Sequence, residues 1–253
     1  MTWSAAQYSR FEAERTRPVR DLVAAIPDIL VNNAIDLGCG PGNSTEVLHA
    51  RFPHAQIEGL DNDQDMIEAA RKRMPEITFA LEDIDQWRAR TPVDVILANA
   101  SLQWLPDHAK LYPQLLQQLR PGGCLAVQTP DNLQEPAHVL AREVAAKGPW
   151  ASRISQVRHP DRHDVSWYYA LLQPIASHVD IWRTTYMHPL QDHQAVVEWF
   201  KGSALRPYLN QLDDAQKAQF LAQYLEAISK AYPALADGTV LLPFPRLFLV
   251  ATR

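Results

Sequence analysis

Three glycines alternate with other residues in the segment 38–42, directly after the short apolar segment 34–37. Glycine allows positive φ angles and a close approach of the backbone to a ligand, and such clusters are typical of strand-to-helix turns in parallel sheets. Asn43 or Ser44 could cap the helix that follows. The segment therefore predicts an α/β fold with a ligand site at its first strand-to-helix connection.

The rest of the chain alternates predicted strands with predicted helices. Strands are expected at 34–37, 56–61, 77–81, 93–98, 124–128, 178–188 and 244–251, and helices at 43–51, 64–74 and 108–119. This alternation is typical of a doubly wound, mostly parallel sheet, so we expect a Rossmann-like α/β fold with seven strands.

The whole chain, 1–253, is expected to form a single domain with three parts. Residues 1–30 form an N-terminal helical segment that Pro18 should divide into two short helices. Residues 31–130 form the ligand-binding core. Residues 190–240 form a helical cap over a substrate, because 194–232 is mainly helical, with a break expected at Arg206-Pro207.

Composition narrows the classes of function. The net charge of −5 lacks the basic excess of a general nucleic-acid binder. Two cysteines are too few for a disulfide scaffold, and no apolar run approaches the length of a membrane span. Without a signal-peptide pattern, we expect a cytoplasmic protein that acts on a small molecule, with no metal, nucleic acid or membrane partner. The sequence leaves the oligomeric state open.

Carboxylates lie at or just after the ends of the first three predicted strands. Asp36 would repel a pyrophosphate and suits an ammonium group, and Asp61, about twenty residues past the glycine turn, could accept both hydroxyls of a ribose. Asp83 could accept from an adenine amine, while Met66 and Ile84 could enclose the base. Each residue alone could be a turn, cap or core residue. Three in chain order at successive carboxyl ends of a parallel sheet favour a ligand site.

These residues and the turn 119–123 resemble the class I S-adenosylmethionine-dependent methyltransferases over about 33–129. The resemblance implies S-adenosylmethionine as methyl donor, S-adenosylhomocysteine as product, and the order 3-2-1-4-5 for the first five strands. Cys39 and Cys124 would then lie on non-adjacent strands and would not form a disulfide. The implied cofactor residues are Asp36, Gly38, Gly40, Asn43, Asp61, Met66, Asp83, Ile84 and Asn99.

The segment 99–104 after the fourth strand lies beside the transferred methyl group in this fold class. Gln103 could orient a carbonyl or carboxylate, and Trp104 could wall the acceptor pocket or pack under the cap. A carboxylate acceptor needs no general base because it is already ionised at neutral pH. Segments 99–108, 130–132, 180–186, 205–207 and 244–248 resemble the family of carboxyl methyltransferases that esterify trans-aconitate, a small tricarboxylate.

That resemblance implies esterification of one carboxylate by in-line displacement, with catalysis by positioning and desolvation. Arginine suits the remaining carboxylates because it donates in a planar fork. Arg183 and Tyr186 should lie on opposite faces of their strand. The expected catalytic residues are Gln103, Trp104 and Arg206. The expected substrate-binding residues are Tyr8, Arg17, Arg183, Tyr186, Arg206 and Arg246.

Other functions stay open at this point. A methyltransferase of another small acid, such as a malonyl thioester, would fit the same loop. An O- or N-methyltransferase of another metabolite would need a base, for which His108 or His138 is available. A nucleotide-binding oxidoreductase is opposed by the glycine spacing and by Asp36. A non-catalytic cofactor-binding regulator is opposed by the complete set of Asp61, Asp83 and Trp104.

Overall fold

The computed structural model describes residues 12–157 and 163–253, with the side chains of 12–15 left out. Across these ranges the chain forms one seven-stranded sheet with the order β3-β2-β1-β4-β5-β7-β6. The first five strands pair in parallel, and β7 is antiparallel to β5. The predicted fold class and strand order are therefore confirmed. The strands are β1 Asn33–Leu37, β2 Gln56–Asp61, β3 Thr78–Leu81, β4 Val93–Asn99, β5 Leu119–Pro130, β6 His178–Leu190 and β7 Val240–Thr252.

Helices connect these strands. They are α1 Glu12–Ala24, α2 Asn43–Arg51, α3 Gln64–Arg73, α4 His108–Gln117, α5 Pro136–Lys147, α6 Ala151–Ile154, α7 Val165–Leu172, α8 His193–Lys201, α9 Arg206–Leu209 and α10 Asp214–Ala231. A 3₁₀ turn, Leu102–Trp104, precedes α4. None of the described helices is long and apolar enough to span a bilayer.

Parallel pairing aligns the carboxyl ends of the central strands at one edge of the sheet. Asp36 lies opposite Gly59 of β2 and Leu97 of β4, and Asn99 lies opposite Gln128 of β5. The residues that follow β1, β2, β3, β4 and β5 therefore meet at this edge, where ligands bind in open α/β sheets.

The chain divides into two compact units. The first contains 1–130, 160–184 and 246–253, and a large apolar cluster in it packs α4 and α7 against β4, β5 and β7. The second contains 131–159 and 185–245. There α5 and α8 pack against α10, and Trp150 is fully buried against Phe220. The predicted cap at 190–240 falls in this second unit, and its role stays a prediction.

Four local predictions were wrong. Pro18 lies inside the single helix α1, which continues because Val19, Leu22 and Val23 bury their side chains. Helix α4 ends at Gln117, and the turn 120–123 belongs to β5 rather than preceding it. The helical segment is interrupted at 202–205, directly before Arg206-Pro207 rather than at these residues, which begin α9 because proline fits the first turn. The capping prediction for Asn43 and Ser44 also fails, for a reason that the site explains.

Asp94 stabilises the opposite, amino-terminal edge of the sheet through hydrogen bonds to its side-chain carboxylate. Its carboxylate is buried in β4 and accepts from the amides of Asn32 at 2.6 Å and Asn33 at 2.9 Å, and from the guanidinium of Arg120. Burial raises the pKa of Asp94, but the hydrogen bonds from Asn33, Asn32 and Arg120 outweigh it and hold the pKa below 3.8. The stabilisation by Asp94 is thus fully present above pH 3.8, the ordinary pKa of an aspartate, and is lost as the pH falls through the lowered pKa.

Replacing Asp94 by Ala should destabilise the protein by about 2–4 kcal/mol at pH 7, because two backbone amides and an arginine lose a charged acceptor. Urea denaturation would measure the free energy of unfolding. The matched control is Asp214→Ala, whose exposed pairing with Lys217 should contribute little. Equal stability of the two variants would show that Asp94 does not fasten this edge.

Candidate active site

The glycine turn after β1 is shaped by close packing on one side and open space on the other. Gly38 has φ +74°, and a Cβ placed on it would lie 2.4 Å from the Cβ of Ser101. Gly40 has φ +54°, and a Cβ there would meet none of the described residues within 4 Å, apart from its chain neighbours. Gly38 therefore keeps the backbone tight against the loop after β4, while the turn beside Gly40 leaves space for a ligand.

Asp36 lies beneath this turn and is fully buried. Its Oδ2 accepts from the hydroxyls of Ser44 and Thr45, both at 2.7 Å, whereas its Oδ1 is buried without a hydrogen-bond partner in the described chain. Burial raises the pKa of Asp36 to about 6, although the two hydroxyl donors lower it, and the neighbouring carboxylate of Asp61 adds to the rise. A buried acceptor that lacks a donor is costly and indicates a site for a cationic ligand group.

The same hydrogen bonds explain why the predicted helix cap is absent. The residue before α2 is Gly42 with φ +90°, and no side chain caps the helix. Ser44 is instead directed to Asp36, and the side-chain amide of buried Asn43 donates to Thr16 of α1 at 3.4 Å. Asn43 thus ties the N-terminal helix to the turn.

Asp61 ends β2 next to the glycine turn. Its Oδ2 accepts from the amide of Gly40 at 2.9 Å and its Oδ1 from the amide of Asp63 at 3.0 Å. Burial raises its pKa, and backbone hydrogen bonds oppose the rise. Each carboxylate oxygen retains a further lone pair, so the group is fixed in orientation and still able to accept from two hydroxyls.

The residues predicted to surround an adenine lie around the ends of β2 and β3. The exposed Asp83 accepts from the side-chain amide of Asn62 at 2.8 Å, which limits its rotation. Ile84 is partly buried, and its Cδ1 would lie 3.4 Å from a Cβ on Gly38. Met66 of α3 is buried. The structure thus places Ile84 beside the turn, and the contact of both apolar residues with a base stays a prediction.

The loop after β4 is held in a strained conformation. Ala100 has φ +55°, its amide donates to the carbonyl of Gln128 at 2.8 Å, and its carbonyl accepts from the side-chain amide of Gln103 at 2.7 Å. Ser101 donates to the carbonyl of Leu37 at 2.6 Å. A non-glycine residue at positive φ persists only where its surroundings fix it, and such residues cluster at functional sites.

Two polar atoms in this loop are buried without partners among the described residues: Oδ1 of Asn99 and Oε1 of Gln103. Gln103 itself is buried, while 55% of the surface of Trp104 is exposed. The structure therefore brings Asn99 and Gln103 to the same edge as Asp36 and Asp61. Their roles, and that of Trp104, stay predictions.

Among the described residues, Arg246 is the one predicted substrate residue that is buried in the first unit, with 5% of its surface exposed. It lies opposite Pro130 at the carboxyl end of β5, and its Nη1 donates to the side-chain oxygen of Gln128 at 3.1 Å. A positive group is therefore fixed next to the loop that contains Ala100 and Gln103.

The other predicted substrate residues lie elsewhere. Arg17 and Arg183 are exposed, and Tyr186 is buried, which agrees with opposite faces for Arg183 and Tyr186. Arg206 is partly buried in the second unit, at the start of α9. Tyr8 lies outside the described residues. No observation brings Arg17, Arg183, Tyr186 or Arg206 to the edge that holds Asp36 and Asp61.

Comparison with known proteins identifies the family. Residues 34–123 match the model of a methyltransferase domain. The whole chain is 49% identical to the trans-aconitate 2-methyltransferase of Rhizobium leguminosarum bv. trifolii, with 100% of both chains covered. It is 53% identical to the enzyme of the same name from Yersinia pestis, with 98% of this chain and 97% of the relative covered. The chain belongs to the trans-aconitate 2-methyltransferase family.

Solved structures agree on the fold. The YcgJ protein of Bacillus subtilis has a TM-score of 0.61 at 12% identity, with 94% of this chain and 98% of that chain covered. A phosphoethanolamine N-methyltransferase of Haemonchus contortus, solved with S-adenosylhomocysteine, has a TM-score of 0.55 at 13% identity. The alignment covers 95% of this chain and 52% of the Haemonchus chain. These distant likenesses show the methyltransferase fold.

The site geometry fits the donor that a methyltransferase of this family requires. The unpartnered Oδ1 of Asp36 can accept from an ammonium, Gly40 leaves open space, and Asp61 has free lone pairs for ribose hydroxyls. In the described part of the chain, no group of three His, Cys, Asp or Glu could hold a metal ion.

The geometry of His108 opposes a role as general base for another acceptor. Its Nε2 lies 2.9 Å from the carbonyl of Leu102, and its Nδ1 lies 2.6 Å from the hydroxyl of Tyr168. A carbonyl can only accept, so Nε2 is the protonated nitrogen and Nδ1 accepts from Tyr168. The lone pair that a base needs is therefore already engaged.

Sequence reasoning missed four residues of this site. Ser44 and Thr45 orient Asp36, Ser101 holds the loop to β1, and Gln128 contacts Arg246. Small hydroxyl residues directly after a glycine turn could have indicated the first two. Gln128, a polar residue at the end of an apolar strand, carried the signal for the fourth.

Replacing Asp61 by Ala should weaken binding of S-adenosylhomocysteine by ~10- to 100-fold, because hydrogen bonds to a charged group contribute roughly 1.5–3 kcal/mol. Titration calorimetry would measure the affinity. Asp65→Ala, at an exposed position on α3, is the matched control and should bind normally. Unchanged affinity in Asp61→Ala would place the ribose elsewhere.

Replacing Asp36 by Asn should separate stability from binding. The folded pKa of about 6 exceeds the ordinary value of 3.8, so the wild type should lose up to ~3 kcal/mol of stability as the pH rises between these values. The variant lacks this loss of stability and should be the more stable protein at pH 8. It should nevertheless bind S-adenosylhomocysteine more weakly, because the ammonium group of the ligand loses its counter-charge. Denaturation and calorimetry at pH 5 and pH 8 would measure both. A variant that is less stable than the wild type at pH 8 would contradict this account.

Proposed function

We propose that this chain transfers a methyl group from S-adenosylmethionine to one carboxylate of trans-aconitate, forming a monomethyl ester and S-adenosylhomocysteine. The observation that supports this most is the identity of about 50% over the full length to relatives with this activity in their names. The methyltransferase match covers only 34–123, whereas the identity extends through the segments outside it. Acceptor specificity depends on those segments in this fold class, so the likeness supports the acceptor as well as the donor.

Different residues at the carboxyl edge bind different parts of S-adenosylmethionine. Asp36 pairs with its ammonium, the backbone at Gly38, Gly40 and Asn43 approaches its amino-acid part, and Asp61 accepts from its ribose. Asp83 accepts from the adenine amine, with Ile84 and Met66 against the base, and Asn99 lies beside the reacting atoms. When bound, S-adenosylmethionine supplies an electrophilic methyl group on its sulfonium.

The acceptor needs orientation more than activation. A carboxylate is ionised at neutral pH and attacks the methyl carbon along the line of the breaking carbon–sulfur bond, so no residue has to remove a proton. Gln103 orients the acceptor, and Trp104 excludes water from the reacting groups. Both residues belong to the 3₁₀ turn that follows the fixed backbone of Ala100. Desolvation of the attacking oxygen then favours reaction.

Cationic and hydroxyl groups bind the carboxylates that do not react. Arg246 is the buried cation of the first unit. Tyr8, Arg17, Arg183, Tyr186 and Arg206 remain predicted contributors, and kinetics of Arg206→Ala would test the one expected to be catalytic. The substrate is a small metabolite, and both buried cysteines are free thiols, which supports a cytoplasmic location.

A panel of acceptors with radiolabelled S-adenosylmethionine would test the proposal. The panel contains trans-aconitate, cis-aconitate, citrate and a malonyl thioester, and it scores methyl groups that alkali releases as methanol. We expect trans-aconitate to give the highest kcat/KM and Asp61→Ala to lose most of it at low donor concentration. A higher kcat/KM for the malonyl thioester would contradict the proposed acceptor and would assign the enzyme to methylation of that acid.

A further inference from the structure

Gln128 stands out as a polar residue inside the apolar centre of the sheet. It lies near the carboxyl end of β5, opposite Phe248 of β7, and none of its surface is exposed. Its side-chain oxygen accepts from Nη1 of Arg246 at 3.1 Å. Its backbone carbonyl accepts from the amide of Ala100 at 2.8 Å. This one residue is therefore bonded to a buried cation and to the strained loop after β4.

The pairing register sets Gln128 and Arg246 on the same face of the sheet. Arg246 lies opposite Pro130, two residues after Gln128, so the two side chains form a diagonal cross-strand pair. The alternate residues Val127 and Leu247 contribute to the large apolar cluster on the other face. The pair is thus placed by the strands themselves rather than by a loop.

The side-chain nitrogen of Gln128 has no hydrogen-bond partner in the described part of the chain, although it is buried. The orientation of this amide is determined, because a guanidinium can only donate and the oxygen must face it. The nitrogen is therefore a directed donor that lacks an acceptor. Leaving such a donor unsatisfied destabilises the folded protein, which favours an acceptor supplied by a ligand.

The chemistry of the pair suits an anion. Gln128 is neutral and orients the guanidinium of Arg246 through its side-chain oxygen, whereas a glutamate in the same place would add a negative charge. A neutral N–H next to a guanidinium offers two kinds of donor to the two oxygens of one carboxylate. The position beside Ala100 puts this pair next to the loop that contains Gln103.

We propose that Gln128 and Arg246 together form the subsite for one non-reacting carboxylate of the acceptor. Arg246 supplies the charge, the Gln128 nitrogen supplies a directed hydrogen bond, and the Gln128 oxygen fixes the guanidinium. The subsite selects polycarboxylates over monocarboxylates of similar shape. This inference rests on the proposed carboxyl methylation.

The test compares two substitutions of Gln128. Gln128→Met keeps the volume but removes both hydrogen bonds, and Gln128→Glu keeps the shape but neutralises Arg246 and repels a carboxylate. We expect KM for trans-aconitate to rise ~10- to 100-fold in Gln128→Met, which loses a hydrogen bond to a charged group, and further in Gln128→Glu. The affinity for S-adenosylhomocysteine should stay within about threefold of the wild type by calorimetry.

The matched control is Gln118→Met, just before the other end of β5. Gln118 accepts from the amide of Ala89 at 3.0 Å, so this variant also loses a hydrogen bond but lies far along the strand from the subsite. It should lower the melting temperature without changing KM. A rise in KM that is equal in Gln118→Met and Gln128→Met would reduce Gln128 to a structural role and overturn the inference.

Binding measurements separate this inference from the proposed function. Citrate, tricarballylate and succinate are titrated into the complex of the wild type or of Gln128→Glu with S-adenosylhomocysteine. If trans-aconitate is not methylated but another polycarboxylate binds the wild type at least tenfold more tightly than Gln128→Glu, the function fails and the subsite stands. If trans-aconitate is methylated with the same KM by the wild type and Gln128→Glu, the subsite fails and the function stands. If the wild type binds no polycarboxylate, both are overturned.

Discussion

The contact between Gly38 and the loop after β4 connects three strands at the ligand edge. The amides of Gly38 and Cys39 donate to the carbonyl of Leu60 in β2, at 2.8 and 2.9 Å. Ser101, after β4, donates to the carbonyl of Leu37 and fills the space that a side chain at residue 38 would need. The glycine turn, Asp61 and the loop after β4 are therefore positioned by one close approach of backbone, which only glycine permits.

This arrangement is built at a cost in stability. Asp36 is buried with one unpartnered oxygen, Ala100 is held at positive φ, and Gln128 has an unsatisfied donor. All three lie at the carboxyl edge, whereas the carboxylate of Asp94 at the opposite edge accepts three hydrogen bonds. A cation for Asp36 and an anion for Gln128 would relieve two of these costs, so the edge is arranged to bind groups of opposite charge side by side.

The sequence predicts the sheet and the position of three carboxylates at its carboxyl edge well because both depend on local patterns. Apolar runs mark the strands, Asp36 and Asp61 lie at the ends of two of them, and Asp83 lies just after the third. Ser44 was wrongly expected to cap α2, since Gly42 is the residue before the helix and the Ser44 hydroxyl donates to the buried Asp36. Pro18 did not end α1 because burial of its neighbours stabilises the helix. The partner of Gln128 lies 118 residues further along the chain, and only the β5–β7 register brings the two together.

A crystal structure of the protein with S-adenosylhomocysteine and trans-aconitate would test the central claim, that the carboxyl edge of the sheet aligns donor and acceptor. The account predicts ribose hydroxyls within hydrogen-bond distance of Asp61, the amine on Oδ1 of Asp36, and one carboxylate on Gln128 and Arg246. An oxygen of a second carboxylate of trans-aconitate should then point at the sulfur of S-adenosylhomocysteine. Adenosine bound away from Asp61, or trans-aconitate bound away from the loop that contains Ala100, would contradict it.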